Sequence, residues 1–290
     1  MRAQPETYPH PLAGKRMTGA EMIIQVLADQ GVDTIFGYSG GAILPTYDAI
    51  FRYNAEQERE PGKQIRLIVP ANEQGAGFMA AGYARASGKV GVFLVTSGPG
   101  ATNSVTPIRD CMADSVPVVL ICGQVPRHAI GTDAFQEAPV FNIMSPCSKH
   151  VFLVENPEEL EATIRTAFEI ARSGRPGPVV IDIPKDVQNW EGIFRGKDYL
   201  RFRGYEARLR RLEASRLSED KCAAFFELLR KSERPLIYAG GGVINSDAAE
   251  QLRAFATTLQ IPVVTTLMGI GAMDTTHDLS LHMLGMHGTA

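Results

Sequence analysis

The sequence predicts a doubly wound α/β fold, in which helices cover both faces of a mostly parallel sheet. Two observations support this prediction. Strand and helix signals alternate along the chain, and residues 90–95, 116–122 and 179–183 form nearly continuous apolar runs rather than alternating ones. Continuous apolar runs are typical of strands covered on both faces, and helices between strands favour parallel pairing through right-handed crossovers.

Capping residues and terminal glycines mark the helices between these strands. Thr18 and Glu21 have the spacing of a capping box, and Asn156 precedes a helical pattern with Glu159 three residues further on. The predicted helices of the first half cover 18–31, 72–88 and 157–173. Two further short strands are predicted at 34–36 and 65–69.

The pattern divides the chain into four segments. The start contains several prolines and no apolar core of a signal peptide, whereas the segment after the first α/β pattern is rich in Arg. After it, strand and helix signals restart, but too few residues follow for a complete open α/β domain. The predicted segments are a flexible extension (1–16), a first α/β domain (17–187), a charged linker (188–216) and an incomplete second α/β domain (217–290).

Composition excludes several classes of protein. The 29 Lys and Arg nearly balance the 32 Asp and Glu, which gives no reason to expect nucleic acid or an anionic membrane as a partner. The four cysteines form no C-x-x-C pair and are interpreted as small buried hydrophobes of a reducing compartment. No apolar run reaches the roughly 18–20 residues that a membrane span needs. We therefore expect a cytoplasmic protein.

Three glycine-rich turns follow predicted strands, at 37–41, 98–100 and 240–242. In α/β folds, ligands bind at the carboxyl ends of strands, where glycine allows close approach to the backbone. Each turn by itself is equally consistent with tight-turn geometry. Asn103 also stands where a dinucleotide-binding fingerprint requires Gly or Ala, so a nucleotide-dependent oxidoreductase is the weakest of the possible functions.

Glu73 is the acidic residue that stands out. It follows an apolar strand, begins a predicted helix and has Ala and Gly as most of its neighbours. A carboxyl group in such a place can hold a proton near neutrality, as a general acid–base group must. The alternative is that an acidic residue in the first turn of a helix only complements the helix dipole. The pattern alone leaves both interpretations open.

Some short motifs along the chain resemble a broad enzyme family, and others resemble one group within that family. The motifs GYSGGA (37–42), EQGAG (73–77), GYAR (82–85) and TSGPGATN (96–103) resemble the pyrimidine-binding domain of thiamine-diphosphate enzymes. More specifically similar to the acetohydroxyacid (acetolactate) synthase catalytic subunit are GQVPR (123–127), IGTDAFQE (130–137), SGRPGP (173–178), PKD (184–186) and LGMHGT (284–289). The resemblance runs in order from Met17 to Ala290.

The resemblance implies roles for particular residues. Glu73 corresponds to the glutamate that hydrogen-bonds N1′ of the cofactor's aminopyrimidine ring and serves as the acid–base group. Residues implied in binding thiamine diphosphate are Tyr38, Ser39, Thr96, Pro99, Asn103 and Gln136. Residues implied at the substrate channel are Gly41, Ala42, Pro126, Phe135 and Lys185. Residues implied in binding FAD, which does no net redox work in this family, are Arg175, Gly241, Gly242, Thr266, Leu267, Gly285, Met286 and His287.

Some of these residues have plain alternative roles, and the chain departs from the family at two positions. Phe135 could belong to the core, and Met286 could fill a packing gap. Ser39 stands where the family commonly has Pro, and Asn72 where it has His before the glutamate. Ser39 could change the stiffness of the turn beside the pyrimidine, and Asn72 removes a titratable neighbour of Glu73.

The implied activity is that of an acetolactate synthase. Such an enzyme decarboxylates pyruvate and condenses the hydroxyethyl unit with pyruvate or 2-ketobutyrate, in branched-chain amino-acid biosynthesis. The alternatives are another thiamine-diphosphate 2-keto acid decarboxylase or carboligase, and a non-catalytic pseudo-subunit that keeps the fold for assembly. Retention of Glu73 argues against the pseudo-subunit.

A second half-site is implied outside this sequence. In the resembling family, Mg²⁺ and the diphosphate are held by a Gly-Asp-Gly stretch with a downstream Asn, and the sequence contains no Gly-Asp-Gly. We therefore expect no metal ligand in this chain, and a homodimer or homotetramer of the full-length subunit with a small regulatory subunit. We also expect the 290-residue chain alone to be inactive.

Overall fold

The computed structural model describes residues 10–57, 62–215 and 217–288. The chain forms two compact units, Met1–Arg201 (unit 1) and Phe202–Ala290 (unit 2). The strands are β1 Arg16–Thr18, β2 Thr34–Gly37, β3 Arg66–Ile68, β4 Gly91–Val95, β5 Val118–Gln124, β6 His150–Leu153, β7 Val179–Pro184, β8 Glu191–Ile193, β9 Ile237–Ala239, β10 Val263–Thr265 and β11 Ser280–Met283. The helices are α1 Gly19–Asp29, α2 Leu44–Glu56, α3 Glu73–Ser87, α4 Pro99–Asn103, α5 Val105–Asp114, α6 Val140–Met144, α7 Leu160–Arg172, α8 Lys185–Asn189, α9 Arg203–Ala214, α10 Glu219–Lys231, α11 Gly241–Asn245 and α12 Ala249–Leu259.

Unit 1 contains a six-stranded sheet in the order β3-β2-β4-β5-β7-β6, and every neighbouring pair is parallel. Strands β4, β5 and β7 are buried at every residue. The predicted doubly wound α/β class is confirmed. Among the described residues, no helix is long and apolar enough to span a bilayer.

Successive strand residues point to opposite sides of the sheet. Because the residues on both sides are buried, helices must cover both faces. Phe93 of β4 and Leu120 of β5 pack in one cluster with side chains of α3, α5 and α6. Their strand neighbours Leu94 and Ile121 are equally buried outside that cluster. Helices α1, α2, α7 and α8 pack against one another, and α7 packs against β7. The apolar runs of the sequence therefore form the middle of a three-layer unit.

Helix ends follow the predicted capping with one exception. The Thr18 hydroxyl accepts the Glu21 N–H at 3.2 Å, and the Glu21 carboxylate accepts the Thr18 N–H at 2.7 Å, which completes the predicted capping box. At Asn156 the side chain instead accepts the N–H of Glu158 at 3.1 Å. The Glu159 N–H donates to the Asn156 carbonyl at 3.1 Å and closes a 3₁₀ turn over Pro157–Glu159, so α7 begins only at Leu160.

The two ends of unit 1 are joined by a small antiparallel pair that we did not predict. Strands β1 and β8 pair with Arg16 opposite Ile193. The turn before β1 belongs to the same junction, because Gly14 donates to the Phe194 carbonyl at 2.9 Å. Residues 10–16, predicted as part of a flexible extension, are therefore ordered by pairing with a distant segment, and residues 1–9 lie outside the described part of the chain.

The segment predicted as a linker contains regular structure in both units. Strand β8 belongs to unit 1, whereas α9 belongs to unit 2, and the boundary between the units falls at Arg201. Residue 216 lies outside the described residues. The Arg-rich composition of this segment is compatible with a helix because Arg is a good helix former.

Unit 2 contains a three-stranded parallel sheet in the order β11-β10-β9. Its core cluster is small and consists of Ala239, Ala256, Val263 and Met273. Helix α10, capped by Ser218, buries none of its residues. The strand–turn–helix pattern predicted for this half is present.

Candidate active site

The order of the strands in unit 1 places one crevice where ligands are expected. The chain leaves β2 to form β3 on one side and then returns to form β4 on the other side of β2. Connections that depart in opposite directions leave a crevice at the carboxyl ends of the strands, and α/β sheets bind ligands there. The two glycine-rich turns that follow β2 and β4 line this crevice.

Glu73 lies at the start of α3, immediately beyond β3. Its side chain is buried, with 8% of the residue exposed. Asn72 is the N-cap, and its Oδ1 accepts the Gly75 N–H at 2.7 Å. The cap fixes the first turn of α3 and with it the direction of the Glu73 side chain. Asn72 therefore has a structural role at the position where the resembling family commonly has His.

Asn103 reaches Glu73 from the end of α4. Its Nδ2 donates to Glu73 Oε2 at 3.0 Å. The structure thus brings together the predicted acid–base residue and one predicted cofactor residue that are 30 positions apart. The amide donor on Oε2 holds the carboxylate in one orientation. The other oxygen, Oε1, faces Gly100 in the turn after β4.

Glycines allow the turn after β4 to pack closely beside this carboxylate. A Cβ added to Gly100 would lie 3.6 Å from Glu73 Oε1 and 2.8 Å from Thr96 Cγ2. Gly98 has φ +55°, and an added Cβ would lie 2.5 Å from the Gln136 carbonyl oxygen. The turn after β4 therefore forms a tightly packed cradle beside Glu73, in which a side chain at Gly98 or Gly100 would clash with Gln136 or Thr96.

The turn after β2 is held against the same cradle. Ala42 N–H donates to Thr96 Oγ1 at 3.3 Å, and a Cβ on Gly40 would lie 2.5 Å from Thr96. Gln188, fully buried, donates to the Ala42 carbonyl at 2.8 Å. Thr96 is buried and touches both turns, so it sets the width of the crevice.

Several predicted cofactor and substrate residues are exposed at this edge. Tyr38 is 39% exposed and its N–H donates to the Leu94 carbonyl at 3.1 Å. The other exposed predicted residues are Ser39, Gly41, Pro99, Asn103, Phe135 and Gln136. Phe135 is 89% exposed, so the alternative that it belongs to the core is wrong.

Pro126 and Lys185 lie on neighbouring segments beyond β5 and β7. Lys185 begins α8 and lines a surface cavity of about 410 Å³ together with Leu44 and Pro45. The segment after Pro126 is tied to α8 because Arg127 Nε donates to Asp186 Oδ2 at 2.7 Å. Burial raises the pKa of Asp186, but its hydrogen bonds from Arg127 outweigh burial and leave the pKa below its ordinary value.

Arg175 has partners within unit 1. Its Nε donates to Ser115 Oγ at 2.7 Å and its NH2 group to the Ala113 carbonyl at 2.7 Å. Ser115 is the C-cap of α5, so the guanidinium closes the end of that helix. Its predicted contact with FAD stays a prediction.

The other predicted flavin residues gather at the carboxyl edge of the unit 2 sheet. Gly241 and Gly242 begin α11 after β9, and an added Cβ on Gly241 would lie 2.9 Å from Met268. Thr266 and Leu267 follow β10, and Gly285, Met286 and His287 follow β11. Leu284 N–H donates to the Thr265 carbonyl at 2.9 Å, which joins the last two turns. Met286 is 91% exposed, so it is not packing filler within this unit.

A pair of buried polar side chains near the crevice, Gln124 and Asp182, was not predicted from the sequence. Gln124 Nε2 donates to Asp182 Oδ2 at 3.0 Å, and Cys122 pairs with Asp182 in the sheet register. Burial raises the pKa of Asp182 to about 7, against smaller opposing effects of the Gln124 amide and the Cys122 thiol. The available signal was an Asp inside one apolar strand and a Gln just beyond another apolar run, since polar groups are costly to bury.

Tyr47 was missed as well. Its hydroxyl is buried without a hydrogen-bond partner among the described residues, and an added Cβ on Gly37 would lie 2.3 Å from it. Burial and then the charge of Glu73 raise the pKa of Tyr47. The glycine at the end of β2 therefore makes room for a phenol below the crevice.

Comparison with known proteins identifies the family of this chain. Residues 17–145 match the N-terminal thiamine pyrophosphate binding domain of thiamine pyrophosphate enzymes, and residues 222–290 match the central domain of these enzymes. The chain therefore belongs to the thiamine pyrophosphate enzyme family.

Its similarity extends to one type of enzyme in this family. The chain is 46% identical to the acetolactate synthase large subunit of Corynebacterium glutamicum, across 96% of this chain and 42% of that protein. It is 46% identical to the mitochondrial acetolactate synthase catalytic subunit of Saccharomyces cerevisiae (94% and 39%) and 43% identical to the chloroplastic acetolactate synthase of Arabidopsis thaliana (99% and 41%). The chain thus spans less than half the length of these relatives.

Proposed function

We propose that this chain provides the pyrimidine-binding half-site of an acetolactate synthase. The observation that carries the proposal is the buried Glu73, held by Asn103 in the crevice between β2 and β4. The names of the relatives support it, since proteins called acetolactate synthase match nearly the whole chain. The reaction is the decarboxylation of pyruvate and transfer of the hydroxyethyl unit to a second 2-keto acid, pyruvate or 2-ketobutyrate.

The residues of the crevice fit thiamine diphosphate. Because Gly98 and Gly100 carry no side chains, the backbone of the turn after β4 lies close to Glu73, where a flat pyrimidine ring would contact it. When bound, thiamine diphosphate supplies the electron sink that allows a 2-keto acid to lose carbon dioxide. In this proposal Glu73 holds and moves a proton at the ring nitrogen N1′, and Asn103 keeps the carboxylate in position. Burial of Glu73 keeps water from competing for this hydrogen bond.

Lys185 and Ala42 form the proposed entrance for the substrate. The ammonium group of Lys185 is the cation that a 2-keto acid carboxylate requires, and it lies at the start of α8. The Gln188 bond to the Ala42 carbonyl ties this helix to the turn after β2. Gly41, Pro126 and Phe135 complete the proposed channel.

FAD and Mg²⁺ are proposed as further cofactors of the complete protein. For FAD, support comes from the turns after β9, β10 and β11, which gather the predicted residues of unit 2. For Mg²⁺, we propose ligands outside this chain; within the described residues, no three His, Cys, Asp or Glu form a metal-binding group.

We propose that the working protein is a homodimer or homotetramer in the cytoplasm, with a small regulatory subunit and a role in branched-chain amino-acid biosynthesis. Exposed aromatic side chains near the crevice, Phe78 on α3 and Phe135, support coverage by a second copy. The partner copy would provide the diphosphate half of the site, so the 290-residue chain alone would be inactive.

The test uses the protein expressed from the complete reading frame that encodes this chain. Acetolactate formation from pyruvate is measured with added thiamine diphosphate and Mg²⁺. We expect Glu73→Gln to lower kcat by roughly 10²–10⁴-fold, because the amide cannot transfer the proton. Thiamine diphosphate binding should stay within a few-fold of wild type, since the amide keeps a hydrogen bond to the ring.

The matched control is Glu56→Gln, which changes an exposed glutamate at the end of α2 and should leave kcat unchanged. Near wild-type activity of Glu73→Gln would refute the acid–base role. Acetaldehyde in place of acetolactate would favour a simple decarboxylase, and absence of both products from the wild type would favour a non-catalytic subunit.

A further inference from the structure

Residues 131–137, which include Phe135 and Gln136, form a turn that lies beside the crevice. Asp133 and Gln136 have φ values of +56° and +58°, a region that is unfavourable for residues other than glycine. The Gln136 carbonyl presses against Gly98, as the 2.5 Å distance to an added Cβ shows. The position of this turn therefore determines one wall of the Gly98 cradle.

The turn is closed on itself by Glu137. The Glu137 carboxylate accepts the N–H of Gly131 and, at 3.1 Å, the N–H of Ala134. The Glu137 N–H in turn donates to the Ala134 carbonyl at 2.9 Å. The Gly131 N–H is the main cause of a lowered pKa of Glu137. Because these bonds are internal, they hold the shape of the turn but do not attach it to the sheet.

The attachment to the sheet is made by Gln124. This residue ends β5, is 2% exposed and uses its side-chain amide in three hydrogen bonds. Nε2 donates to the Ala138 carbonyl at 3.1 Å and to Asp182 Oδ2 at 3.0 Å, and Oε1 accepts the Val125 N–H at 2.8 Å. The bond to Ala138 joins the end of the turn to the middle of the sheet.

Asp182 fixes the orientation of that amide. It lies on β7 next to β5, is 2% exposed, and its Oδ1 has no hydrogen-bond partner among the described residues. Burying a carboxyl group and an amide between apolar strands destabilises the unit unless hydrogen bonds offset the cost. Oδ2 accepts one N–H of Gln124 and so directs the rest of the amide toward Ala138.

We propose that Gln124, oriented by Asp182, is a positioning residue that fixes the 131–137 turn against Gly98. It thereby sets the wall of the crevice against which the pyrimidine ring of thiamine diphosphate binds. The inference rests on the proposed function for the identity of the ligand, but not for the mechanical link. In this proposal Gln124 acts through the turn and not by contact with the ligand.

The mechanical link is tested by hydrogen–deuterium exchange in the protein expressed from the complete reading frame. Gln124→Met keeps the length of the side chain and removes its hydrogen bonds. We expect exchange of the 131–138 segment to rise roughly tenfold, as loss of about one hydrogen bond implies. Asp182→Asn keeps an acceptor for Gln124 and should leave this segment within about twofold of wild type.

Gln188→Met is the matched control, because Gln188 is equally buried but holds the Ala42 carbonyl instead. It should leave exchange of 131–138 unchanged. If Gln124→Met fails to fold, Asp182→Leu removes the orienting acceptor with an apolar residue of similar size and should raise exchange of 131–138. Unchanged exchange of this segment in Gln124→Met, or in Asp182→Leu where that variant replaces it, overturns the proposal.

The link to the ligand is tested by titrating the same variants with thiamine diphosphate and Mg²⁺. We expect Gln124→Met to raise the half-saturating cofactor concentration roughly fivefold or more, while kcat at saturation stays within about twofold. If wild type does not bind the cofactor, the proposed function fails. If wild type binds it and Gln124→Met binds equally well, the positioning role fails alone.

Discussion

Units 1 and 2 share the same repeat of strand, turn and helix but bury it to very different degrees. In unit 1, β4, β5 and β7 are covered at every residue. In unit 2, α10 buries none of its residues, and Phe225 and Phe226 are about half exposed, at 48% and 54%. Apolar periodicity is equally visible in both halves of the sequence. The comparison teaches that periodicity predicts an element but not what covers it.

The largest expected difference between the units is the cost of removing a phenylalanine. Phe168 of α7 is 1% exposed, so Phe168→Ala should lower the free energy of unfolding of unit 1 by about 3–5 kcal/mol. Phe226→Ala on α10 should cost less than about 1 kcal/mol, because its side chain is already in contact with solvent.

Trp190, the single tryptophan, lies in unit 1 and reports on its unfolding by urea through fluorescence. Hydrogen exchange over 219–231 reports on α10. Phe226→Ala serves as the control for the tryptophan signal and should not move it. Equal losses at the two positions would contradict the difference in burial.

The next largest expected difference between the units is how their stability depends on pH. The pKa of Asp182 is raised to about 7 in the folded state from an ordinary value of 3.8, so the folded state holds its proton more tightly. The contribution of Asp182 to the free energy of unfolding is therefore fully present below pH 3.8. This contribution, up to about 4 kcal/mol, is lost as pH rises through about 7. Asp274 in unit 2 has the opposite sign, since the Thr276 N–H and then its hydroxyl lower the pKa of Asp274. The stability that Asp274 contributes is present above its ordinary pKa and is lost as pH falls.

Asp182→Asn isolates the first effect. The stability of wild type minus that of the variant, followed with Trp190 by urea unfolding between pH 4 and pH 8, should fall as pH rises. A difference that is flat or rises over this range would show that Asp182 is ionised in the folded protein. Asp274→Asn, matched in chemistry but exposed, should leave the Trp190 transition unchanged.

Helix caps offer the smallest comparison. Asn72 Oδ1 accepts the Gly75 N–H at 2.7 Å, whereas Ser218 Oγ accepts the Lys221 N–H at 3.4 Å. Asn72→Ala should destabilise α3 by about 1 kcal/mol, and Ser218→Ala should destabilise α10 by less. Exchange of the first turns of α3 and α10 measures both. A larger effect at Ser218 would reverse the order that the two distances predict.

Local pattern predicted the parts of the fold that depend on neighbouring residues. The strands at the middle of the unit 1 sheet were found because each is one apolar run. Helix α2 was not predicted, since its buried residues include Thr46 besides Tyr47, Ala49 and Ile50, which leaves only a short apolar stripe. Strands β1 and β8 have three residues each and pair across the length of unit 1, so no local signal reveals them.

The site shows the same limit. Pattern alone left the role of Glu73 open, and the resemblance of the surrounding motifs named Asn103 and Thr96, which the structure places beside it and at the adjoining turn. Gln124 and Asp182 were not found, although Asp182 interrupts an apolar strand and Gln124 ends one. Their meaning depends on a pairing between β5 and β7, which are separated by more than 50 residues of chain.

The pairing of β1 with β8 has a consequence for how unit 1 could be handled. Arg16 lies opposite Ile193, so segments near the start and near the end of unit 1 are hydrogen-bonded to each other. Paired strands are about 5 Å apart, which is the gap that an open surface loop of a host protein provides. Unit 1 is therefore suited to insertion into a loop of a host protein. A short peptide that joins the two paired segments would allow circular permutation.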